Sequence, residues 1–379
     1  MARNTNGEGF SLKDELFNKA KVTKLASELA PVVPGFKADT FVADVCSQFP
    51  MLELKERIAH IADVLERYLD NDFKTACTQI VAALPAPLDP TKTDDDFGDF
   101  IYAPYGEFVA RHGASATHLK TALDTLKELT QRFSMEDAIR TFINAFPEET
   151  YATLTQWASD KNYHVRRLVS EGTRPLLPWS SRLTTPIERP LLLLNTLHAD
   201  AARYVTRSVA NHLNDISKRE PDLAIATLQR WHQAKVQEQK ELVWMTRHAL
   251  RTLVKQGHPD ALAFLGYHSK PQVVVRELSR APARLALGDT LEFSFTLTAK
   301  RNEPLLVDYV VDFVKKNGNT APKVFKIKQL TLAAGESATI TKRHPIKANS
   351  STFTYYPGEH TVTLQINGQQ FDSFTFTLK

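Results

Sequence analysis

A repeat of 40 residues constrains the fold of this chain more than any other feature of its sequence. Val165, Arg167, Leu168 and Val169 recur 40 positions later as Val205, Arg207, Ser208 and Val209, and again as Met245, Arg247, His248 and Ala249. Each copy follows another helical stretch, at 151–157, 190–197 and 223–231. A pair of helices with this period cannot bury its apolar face alone, so successive pairs stack and curve. The sequence therefore predicts a HEAT-like α-solenoid.

The helical pattern extends well beyond the repeat. From about residue 11 to residue 267, apolar residues recur at helical spacing. The clearest stripe consists of Leu54, Ile58, Ile61, Leu65 and Tyr68. A proline-rich stretch at 85–90 and three acids at 94–96 interrupt the pattern and predict a loop. Three adjacent acids can indicate a metal site, but their side chains diverge, so we expect them to cap the next helix and lie in solvent.

The apolar period changes to two after Tyr267. Residues 291–298, 324–328 and 361–366 alternate between apolar and polar side chains. Asn367-Gly368 joins the last of these runs to 371–378, and this dipeptide predicts a hairpin. Short strands separated by frequent turns are typical of an immunoglobulin-like β-sandwich. We therefore predict a helical-repeat domain at 1–267 and a β-sandwich at 268–379.

The distribution of charge is more informative than the net charge of +4. Between Asp160 and Lys255 there are sixteen basic residues and nine acids, and most of the basic residues are arginine, whose planar fork suits phosphates. Charge runs of this kind are usually solvated helix faces, so charge alone leaves both interpretations open. Arg167, Arg207 and Arg247 stand at the same phase of successive repeats. They predict a basic stripe along the inner surface of the solenoid.

The helix that begins near His164 carries the candidate chemistry. His164, Arg167, Glu171 and Arg174 are three or four positions apart and share one helix face. Glu171 has two interpretations. It is either a surface salt-bridge partner of Arg167, or a carboxylate in an arginine-lined groove. Because phosphates repel a carboxylate there, the second interpretation requires a cationic target, and a carboxylate is most effective where positive charge develops in a transition state.

The end of this helix and the turn after it can also be predicted. A residue before proline disfavours helical geometry, so the helix should end at Arg174-Pro175. Trp179 lies in the turn that leads to the next repeat. It either packs into the solenoid or faces the groove.

Three polar residues of the neighbouring repeats extend the candidate site. Ser134 has the position of a helix N-cap, which places Glu136 in the first turn, where the helix dipole favours a carboxylate. That is a structural explanation of Glu136, and a functional one requires it to face the same groove as Glu171. Asn211 stands one repeat after Glu171, and Asp215 shares its helix face. Both either hydrogen-bond DNA or bridge helices.

Several other classes of protein are disfavoured by the sequence. There is no apolar run of membrane-spanning length, and the N-terminus does not resemble a secretory signal. Cysteine and histidine do not occur at zinc-site spacing, and no glycine-rich phosphate loop is present. Two cysteines in a chain of 379 residues predict a reducing, cytosolic setting.

Three segments resemble the AlkC group of bacterial alkylpurine DNA glycosylases. They are 157–179 (WASDKNYHVRRLVSEGTRPLLPW), 10–19 (FSLKDELFNK) and 94–104 (DDDFGDFIYAP). The resemblance extends over about residues 10–267, and some members of the group carry an appended immunoglobulin-like domain. Leu176 departs from the group's pattern, in which a basic residue is expected, and this departure removes one phosphate contact.

The resemblance implies a monofunctional enzyme that removes small cationic lesions from double-stranded DNA. Expected lesions are 3-methyladenine, 3-methylcytosine and 1-methyladenine, excised without a metal or organic cofactor and without full extrusion of the base. Glu136 and Glu171 are implied as the catalytic carboxylates, Trp179 as a contact to deoxyribose or base, and Arg167 as a phosphate contact. The further DNA contacts that we predict are His164, Arg166, Arg174, Arg207, Asn211, Asp215 and Arg247.

We expect a monomer in the bacterial cytoplasm that associates with the nucleoid during repair. Two other functions remain open from the sequence. A HEAT-repeat protein can bind damaged or branched DNA without chemistry, which predicts salt-sensitive binding and no base release. A protein adaptor is the third alternative, which the arginines at equal phase disfavour.

Overall fold

A computed structural model describes residues 2–3, 9–92, 94, 97–348 and 353–379, without the side chains of residues 2–3 and 9–10. The chain divides into two compact units, Met1–Ala249 and Leu250–Lys379. Within the described ranges, no helix combines the length and apolar character that a membrane span needs.

The first unit is helical after a short pairing of β1 (Ala2–Arg3) with β2 (Gly9–Phe10). Its first helices are α1 (Leu12–Leu16), α2 (Lys19–Leu29), α3 (Ala38–Cys46), α4 (Leu54–Glu66), α5 (Phe73–Ala83), α6 (Ala103–Gly113) and α7 (Leu119–Leu129). They are followed by α8 (Ala138–Ala145), α9 (Pro147–Trp157), α10 (Tyr163–Gly172), α11 (Leu191–Leu197), α12 (Arg203–Ser217), α13 (Pro221–Ala234) and α14 (Gln239–Ala249).

The predicted helix pairs are present. They are α9 with α10, α11 with α12, and α13 with α14. Helices α10, α12 and α14 pack side by side in sequence order. Val165, Val205 and Met245, which share one phase of the repeat, are all buried. The prediction of a HEAT-like array is therefore confirmed.

The predicted loop before α6 is tied to the turn before α8. Gly98 pairs with Phe133 in an isolated β-bridge, and a Cβ atom at Gly98 would lie 1.8 Å from the Arg132 carbonyl oxygen. Gly98 also has a φ of +77°, so glycine is required there on two grounds. Of the three acids at 94–96, residues 95 and 96 lie outside the described part of the chain. Asp94 does not cap a helix as predicted, because its carboxylate is half-buried and accepts a hydrogen bond from Arg207.

The second unit contains two helices followed by a β-sandwich. The helices are α15 (Arg251–Lys255) and α16 (Pro259–Phe264). The strands are β3 (Val273–Ala281), β4 (Arg284–Leu285), β5 (Thr290–Ala299), β6 (Glu303–Val314), β7 (Thr320–Leu332), β8 (Ser337–Pro345), β9 (Gly358–Ile366) and β10 (Gln369–Leu378). One sheet has the order β4-β10-β9-β6-β7 and the other β3-β5-β8. The predicted sandwich is confirmed, and its core includes Phe293, Phe295, Tyr309, Leu364 and Phe376.

The predicted Asn-Gly hairpin joins β9 to β10, and it holds the segment that precedes the sandwich. Asn367 and Gly368 both have a positive φ, as this turn type requires. A Cβ atom at Gly368 would lie 2.1 Å from the Cα of Gly257. The Asn367 amide donates a hydrogen bond to the His268 carbonyl oxygen (3.0 Å), and Gln365 donates one to the Lys255 carbonyl oxygen (3.0 Å). The compact unit consequently begins before the predicted boundary at 267/268.

Candidate active site

A pocket with a volume of about 600 Å³ opens in the helical unit. It is lined by residues of α4, α6, α10 and α12, by residues on either side of the α8 N-terminus, and by the loop after α10. The predicted site residues in this lining are Glu136, Arg167, Glu171, Arg174, Trp179, Arg207 and Asn211. Most of the residues that the sequence singled out therefore surround one cavity.

Glu171 is buried at the base of this pocket, in the last turn of α10. The helix begins where the Asn162 side chain accepts a hydrogen bond from the His164 backbone N–H, and it ends at Gly172, close to the predicted end. Glu171 Oε1 accepts a hydrogen bond from Arg174 Nη1 (2.6 Å), and Oε2 accepts one from the Ser208 hydroxyl (2.5 Å). Its carboxylate is consequently held in a single orientation.

The pKa of Glu171 reflects two opposed effects. Burial alone raises the pKa of this carboxyl group, but the charges of Arg167 and Arg174 lower it, as do the hydrogen bonds from Ser208 and Arg174. The net result is a pKa below the usual 4.5. Glu171 is therefore an ionised carboxylate at neutral pH, which suits an electrostatic role better than that of a proton donor.

Arg167 links the two carboxylates that the resemblance implies as catalytic. Its Nη1 donates to Glu136 Oε2 (2.9 Å) and to the Ser134 hydroxyl (2.8 Å), while its Nη2 lies 3.8 Å from Glu171 Oε2. The guanidinium also stacks over the Tyr204 ring, 4.4 Å from its centroid. Burial opposes the charge of Arg167, but the two acids outweigh it and raise its pKa. The fixed guanidinium thus holds the carboxylates of Glu136 and Glu171 beside the same cavity.

Glu136 does not lie in a helix, which corrects the predicted helix start. Helix α8 begins at Ala138 with Asp137 as its N-cap. Ser134 cannot act as the cap because its hydroxyl donates instead to Glu136 Oε2 (2.7 Å) and accepts from Arg167. The Glu136 side chain is 30% exposed, whereas that of Glu171 is 6% exposed. Glu136 is thus the more accessible of the two carboxylates.

Asp215 lies behind the pocket and completes its ionic network. It is buried and does not belong to the lining. Arg174 Nε donates to Asp215 Oδ2 (2.9 Å), and Lys218 Nζ lies 3.2 Å from Asp215 Oδ1. Burial disfavours the charge of Arg174, but Glu171 and Asp215 together raise its pKa. Asp215 is therefore connected to the pocket through Arg174, and its contact with DNA stays a prediction.

Trp179 faces outward at the pocket, which settles the choice that the sequence left open. Its side chain is 79% exposed, an unusual state for a large aromatic residue. Its backbone has a φ of 63°, a left-handed conformation that residues other than glycine seldom adopt. Its carbonyl oxygen accepts a hydrogen bond from the Lys55 ammonium, which also binds Asp137. The loop presents the indole ring instead of burying it.

Arg140 holds this loop and was not predicted. It is fully buried in α8, where Nη1 donates to the carbonyl oxygens of Gly172 (2.9 Å) and Arg174 (2.8 Å), and Nε donates to that of Ser181 (2.7 Å). Burial lowers the pKa of Arg140 to about 10, although Asp137 opposes that shift. The arginine therefore connects the end of α10 to the far side of the Trp179 loop. Because Arg140 stands within an apolar run, its only sequence signal is a charge at a buried helical phase.

The remaining predicted residues lie beside or outside the pocket. The His164 ring packs against Tyr163 in a tilted arrangement and edge-to-face against Tyr204, with centroids 4.1 Å and 5.7 Å away. Arg166 forms an ion pair with Asp200 (2.5 Å) away from the lining, and Arg247 is exposed on α14.

Two of the lining residues on α12 also have protein partners. Arg207 binds Asp94, as described above, and Asn211 Oδ1 lies 2.8 Å from His248 Nε2. The three arginines at equal phase differ in exposure: Arg167 is buried, Arg207 is half-buried and Arg247 is exposed, so the basic stripe stays a prediction.

Ser208 and Tyr204 are pocket residues that sequence reasoning missed. Tyr204 stands 40 positions after His164, so its phase was already marked as facing the groove. Ser208 stands at the phase of Leu168, where a hydroxyl replaces a core leucine. The sequence signal for Ser208 was thus a polar residue at a position of the repeat that is otherwise buried and apolar. Within the described ranges, no group of three or more His, Cys, Asp or Glu residues is arranged to hold a metal ion.

Comparison with known proteins agrees with this architecture. Residues 274–379 match the family model described as the C-terminal Ig-like domain of the uncharacterised protein YhaZ. The chain is 32% identical to YhaZ of Bacillus subtilis strain 168, over 96% of this chain and 98% of YhaZ.

A solved structure is similar over the same length. It is the alkylpurine DNA glycosylase AlkC of Pseudomonas fluorescens bound to DNA containing an abasic site analog, with a TM-score of 0.87 and 34% identity. The similarity covers 98% of this chain and 100% of AlkC. The helical array, the sandwich and the two full-length relatives lead to one conclusion: the chain belongs to the AlkC-type family of alkylpurine DNA glycosylases, which also includes YhaZ.

Proposed function

We propose that this chain is a monofunctional DNA glycosylase that excises small cationic N-alkylated bases. Expected substrates are 3-methyladenine, 3-methylcytosine and 1-methyladenine in double-stranded DNA, acted on by a monomer without full extrusion of the base. The observation that carries the proposal is the buried Glu171 carboxylate, held by Arg174 and Ser208 in a pocket that also contains Glu136 and Trp179. The DNA-bound relative AlkC supports a DNA partner.

The charge of the substrate explains why this pocket needs no proton donor. An N-alkylated base is already cationic, so when its glycosidic bond breaks, the electron pair moves to the base and the base leaves neutral. The positive charge then resides on the deoxyribose, as an oxocarbenium-like species. Glu171 has a lowered pKa and is ionised, so it is poised to stabilise that charge. Water then adds to the sugar carbon and loses a proton, which leaves an abasic site.

Glu136 and Trp179 have complementary roles in this proposal. One oxygen of Glu136, Oε2, is occupied by Ser134 and Arg167, and the side chain remains partly exposed. We assign the attacking water to its Oε1. The exposed indole of Trp179 contacts the deoxyribose or the base. Arg167 orients the carboxylates and contacts the phosphate near the lesion.

Lys55 also lines the pocket, and a lysine in this position has to be considered as a covalent nucleophile. Its side-chain nitrogen is bound by Asp137 and by the Trp179 carbonyl oxygen, so both contacts would have to break before this nitrogen could attack a sugar carbon to form a Schiff base. We therefore expect no trapped adduct when borohydride is added during turnover, and no strand cleavage beyond the abasic site.

The decisive experiment measures free base. Duplex DNA treated with a methylating reagent is incubated with the wild-type protein, with Glu171→Gln, with Glu136→Gln, and with Glu149→Gln as a matched control on an exposed part of α9. We expect the wild type and the control to release 3-methyladenine, and each pocket variant to release it at least about a hundredfold more slowly.

The possible results separate the functions. Salt-sensitive DNA binding without any base release would favour the non-catalytic HEAT-repeat alternative. If the wild type is active and Glu171→Gln keeps its full rate, the role given to Glu171 is wrong although the enzyme activity stands.

A further inference from the structure

The active-site pocket has two unlike walls, and only one of them takes part in the proposed chemistry. We call Glu136, Arg167, Glu171, Arg174 and Arg207 the charged wall. The apolar wall consists of Leu54 and Ile58 from α4, Phe100 and Ala103 around the start of α6, and Phe133 before α8. These five side chains are partly exposed instead of being packed away in the core. We expect an apolar surface that stays partly exposed beside a reaction centre to contact an apolar part of the substrate.

The apolar wall is held open by its own framework. The Phe100 and Phe133 rings pack against each other with centroids 4.4 Å apart. Their backbones are joined by the Gly98–Phe133 bridge and by the hydrogen bond from Asp99 N–H to the Arg132 carbonyl oxygen (3.1 Å). Lys21 and Lys24 fix the Asp99 carboxylate from α2 at 2.9 Å each. These contacts fix the backbone that carries the two phenylalanine rings.

A methyl lesion leaves most of this wall unused. Apolar stabilisation scales with the surface that is removed from water, and a methyl group offers very little. Pockets of several hundred cubic ångströms enclose ligands much larger than a methyl substituent. The volume of about 600 Å³ is large enough to hold a substituent bigger than methyl beside the lesion base.

We propose that the apolar wall accepts a larger apolar substituent on a cationic purine, of the arylmethyl class, with N3-benzyladenine as its simplest member. The carboxylates of Glu136 and Glu171 select the positive charge that every N3-alkylated adenine carries, and the apolar wall contacts the aryl ring. The glycosidic bond is cleaved as it is in a methyl lesion. The base leaves neutral with the electron pair of that bond, and water supplies the new hydroxyl oxygen on the sugar carbon. This inference rests on the proposed glycosylase function and names a further substrate class for the same site.

The test compares two substrates in one assay. Duplex DNA alkylated with a methylating reagent or with benzyl bromide is incubated with the full-length protein, and free 3-methyladenine and 3-benzyladenine are quantified by mass spectrometry. Spontaneous release without protein is subtracted for each base. We expect the kcat/KM for the benzyl lesion to equal or exceed that for the methyl lesion.

A pocket-filling variant tests the apolar wall itself. Ala103→Phe adds a ring to the wall, and Ala226→Phe is the matched control on an exposed face of α13. We expect Ala103→Phe to lower the ratio of benzyl to methyl release about tenfold or more, and the control to leave that ratio unchanged. If thermal unfolding shows that Ala103→Phe does not fold, Leu54→Trp fills the wall from α4 and is scored in the same way.

Each outcome bears on one proposal. Methyl release without benzyl release above the spontaneous rate overturns the inference and leaves the proposed function intact, as does an unchanged ratio in the filled variants. Release of neither base overturns the proposed function, and the inference then fails with it.

Discussion

The hydroxyl of Ser208 on α12 donates a hydrogen bond of 2.5 Å to Oε2 of Glu171 on α10, so adjacent repeats meet at the candidate carboxylate. A hydrogen bond to a charged group contributes about 1.5–3 kcal/mol. We therefore expect Ser208→Ala to slow base excision roughly ten- to hundredfold under single-turnover conditions, with DNA affinity nearly unchanged. Ser217→Ala is the control, because this buried serine of the same helix donates only to the Asn214 carbonyl oxygen. Equal excision rates for the two variants would contradict the role of Ser208.

Arg167 makes a contact that lysine cannot reproduce. Its planar fork reaches Ser134 and Glu136 from one nitrogen and approaches Glu171 with the other. We expect Arg167→Lys to slow excision about tenfold or more. We expect Arg167→Met to lower the free energy of unfolding by about 1–3 kcal/mol, because the buried Glu171 and the partly exposed Glu136 lose a shared counter-charge but keep their other partners. Arg189→Lys serves as the control, since Arg189 pairs with Glu148 outside the pocket. Single-turnover rates and thermal unfolding distinguish the two positions.

Arg140 should determine how firmly the Trp179 loop is held. Replacing it by methionine removes donors to the carbonyl oxygens of Gly172, Arg174 and Ser181. We expect chymotrypsin to cleave after Trp179 faster in Arg140→Met than in the wild type, with the site identified by mass spectrometry. Arg132→Met is a matched control because Arg132 binds the Pro85 carbonyl oxygen of a different loop. Unchanged cleavage after Trp179 would mean that other contacts hold the loop.

The buried His212 should make the stability of the folded protein depend on pH. Burial lowers its pKa from 6.5 to about 4, although the Ser170 carbonyl oxygen opposes the shift. Between these two values the unfolded chain binds a proton that the folded chain does not, so stability falls as the pH decreases from 6.5 to 4. At about 1.4 kcal/mol per pKa unit, His212 accounts for roughly 2 kcal/mol of loss by pH 5. Urea unfolding at pH 7 and pH 5 should show a smaller difference in His212→Gln, and an equal difference would exclude His212 as the source.

The fold could largely be predicted because its two parts have distinct apolar periods. The repeat at 40-residue spacing marked α10, α12 and α14, and Asn367-Gly368 marked the last hairpin. Strand β6 was missed for a physical reason. It pairs with both β7 and β9 and is buried on both faces, so its apolar residues do not alternate as those of β5 do.

The site could be predicted only in part, because helical phase does not specify partners. Phase correctly brought Glu171 and Arg167 to one face, but it could not show that Arg167 is shared with Glu136 from the turn before α8. It also marked Leu54 and Ile58 as part of an apolar stripe, yet these two residues line the pocket while Ile61 and Leu65 are in the core. An apolar position toward a cavity and one toward the core have the same sequence pattern.

The close approach of Gly368 to Gly257 bears on which part of this chain can be inherited or exchanged as a module. A substituent at either glycine would meet the other backbone, and the neighbouring Asn367 and Gln365 are buried with donors directed at His268 and Lys255. A sandwich cut at β3 would lose these acceptors and leave buried amides unpaired. A transferable module should therefore begin at Leu250, where the second compact unit begins. Recombination between relatives should preserve the two glycines as a pair.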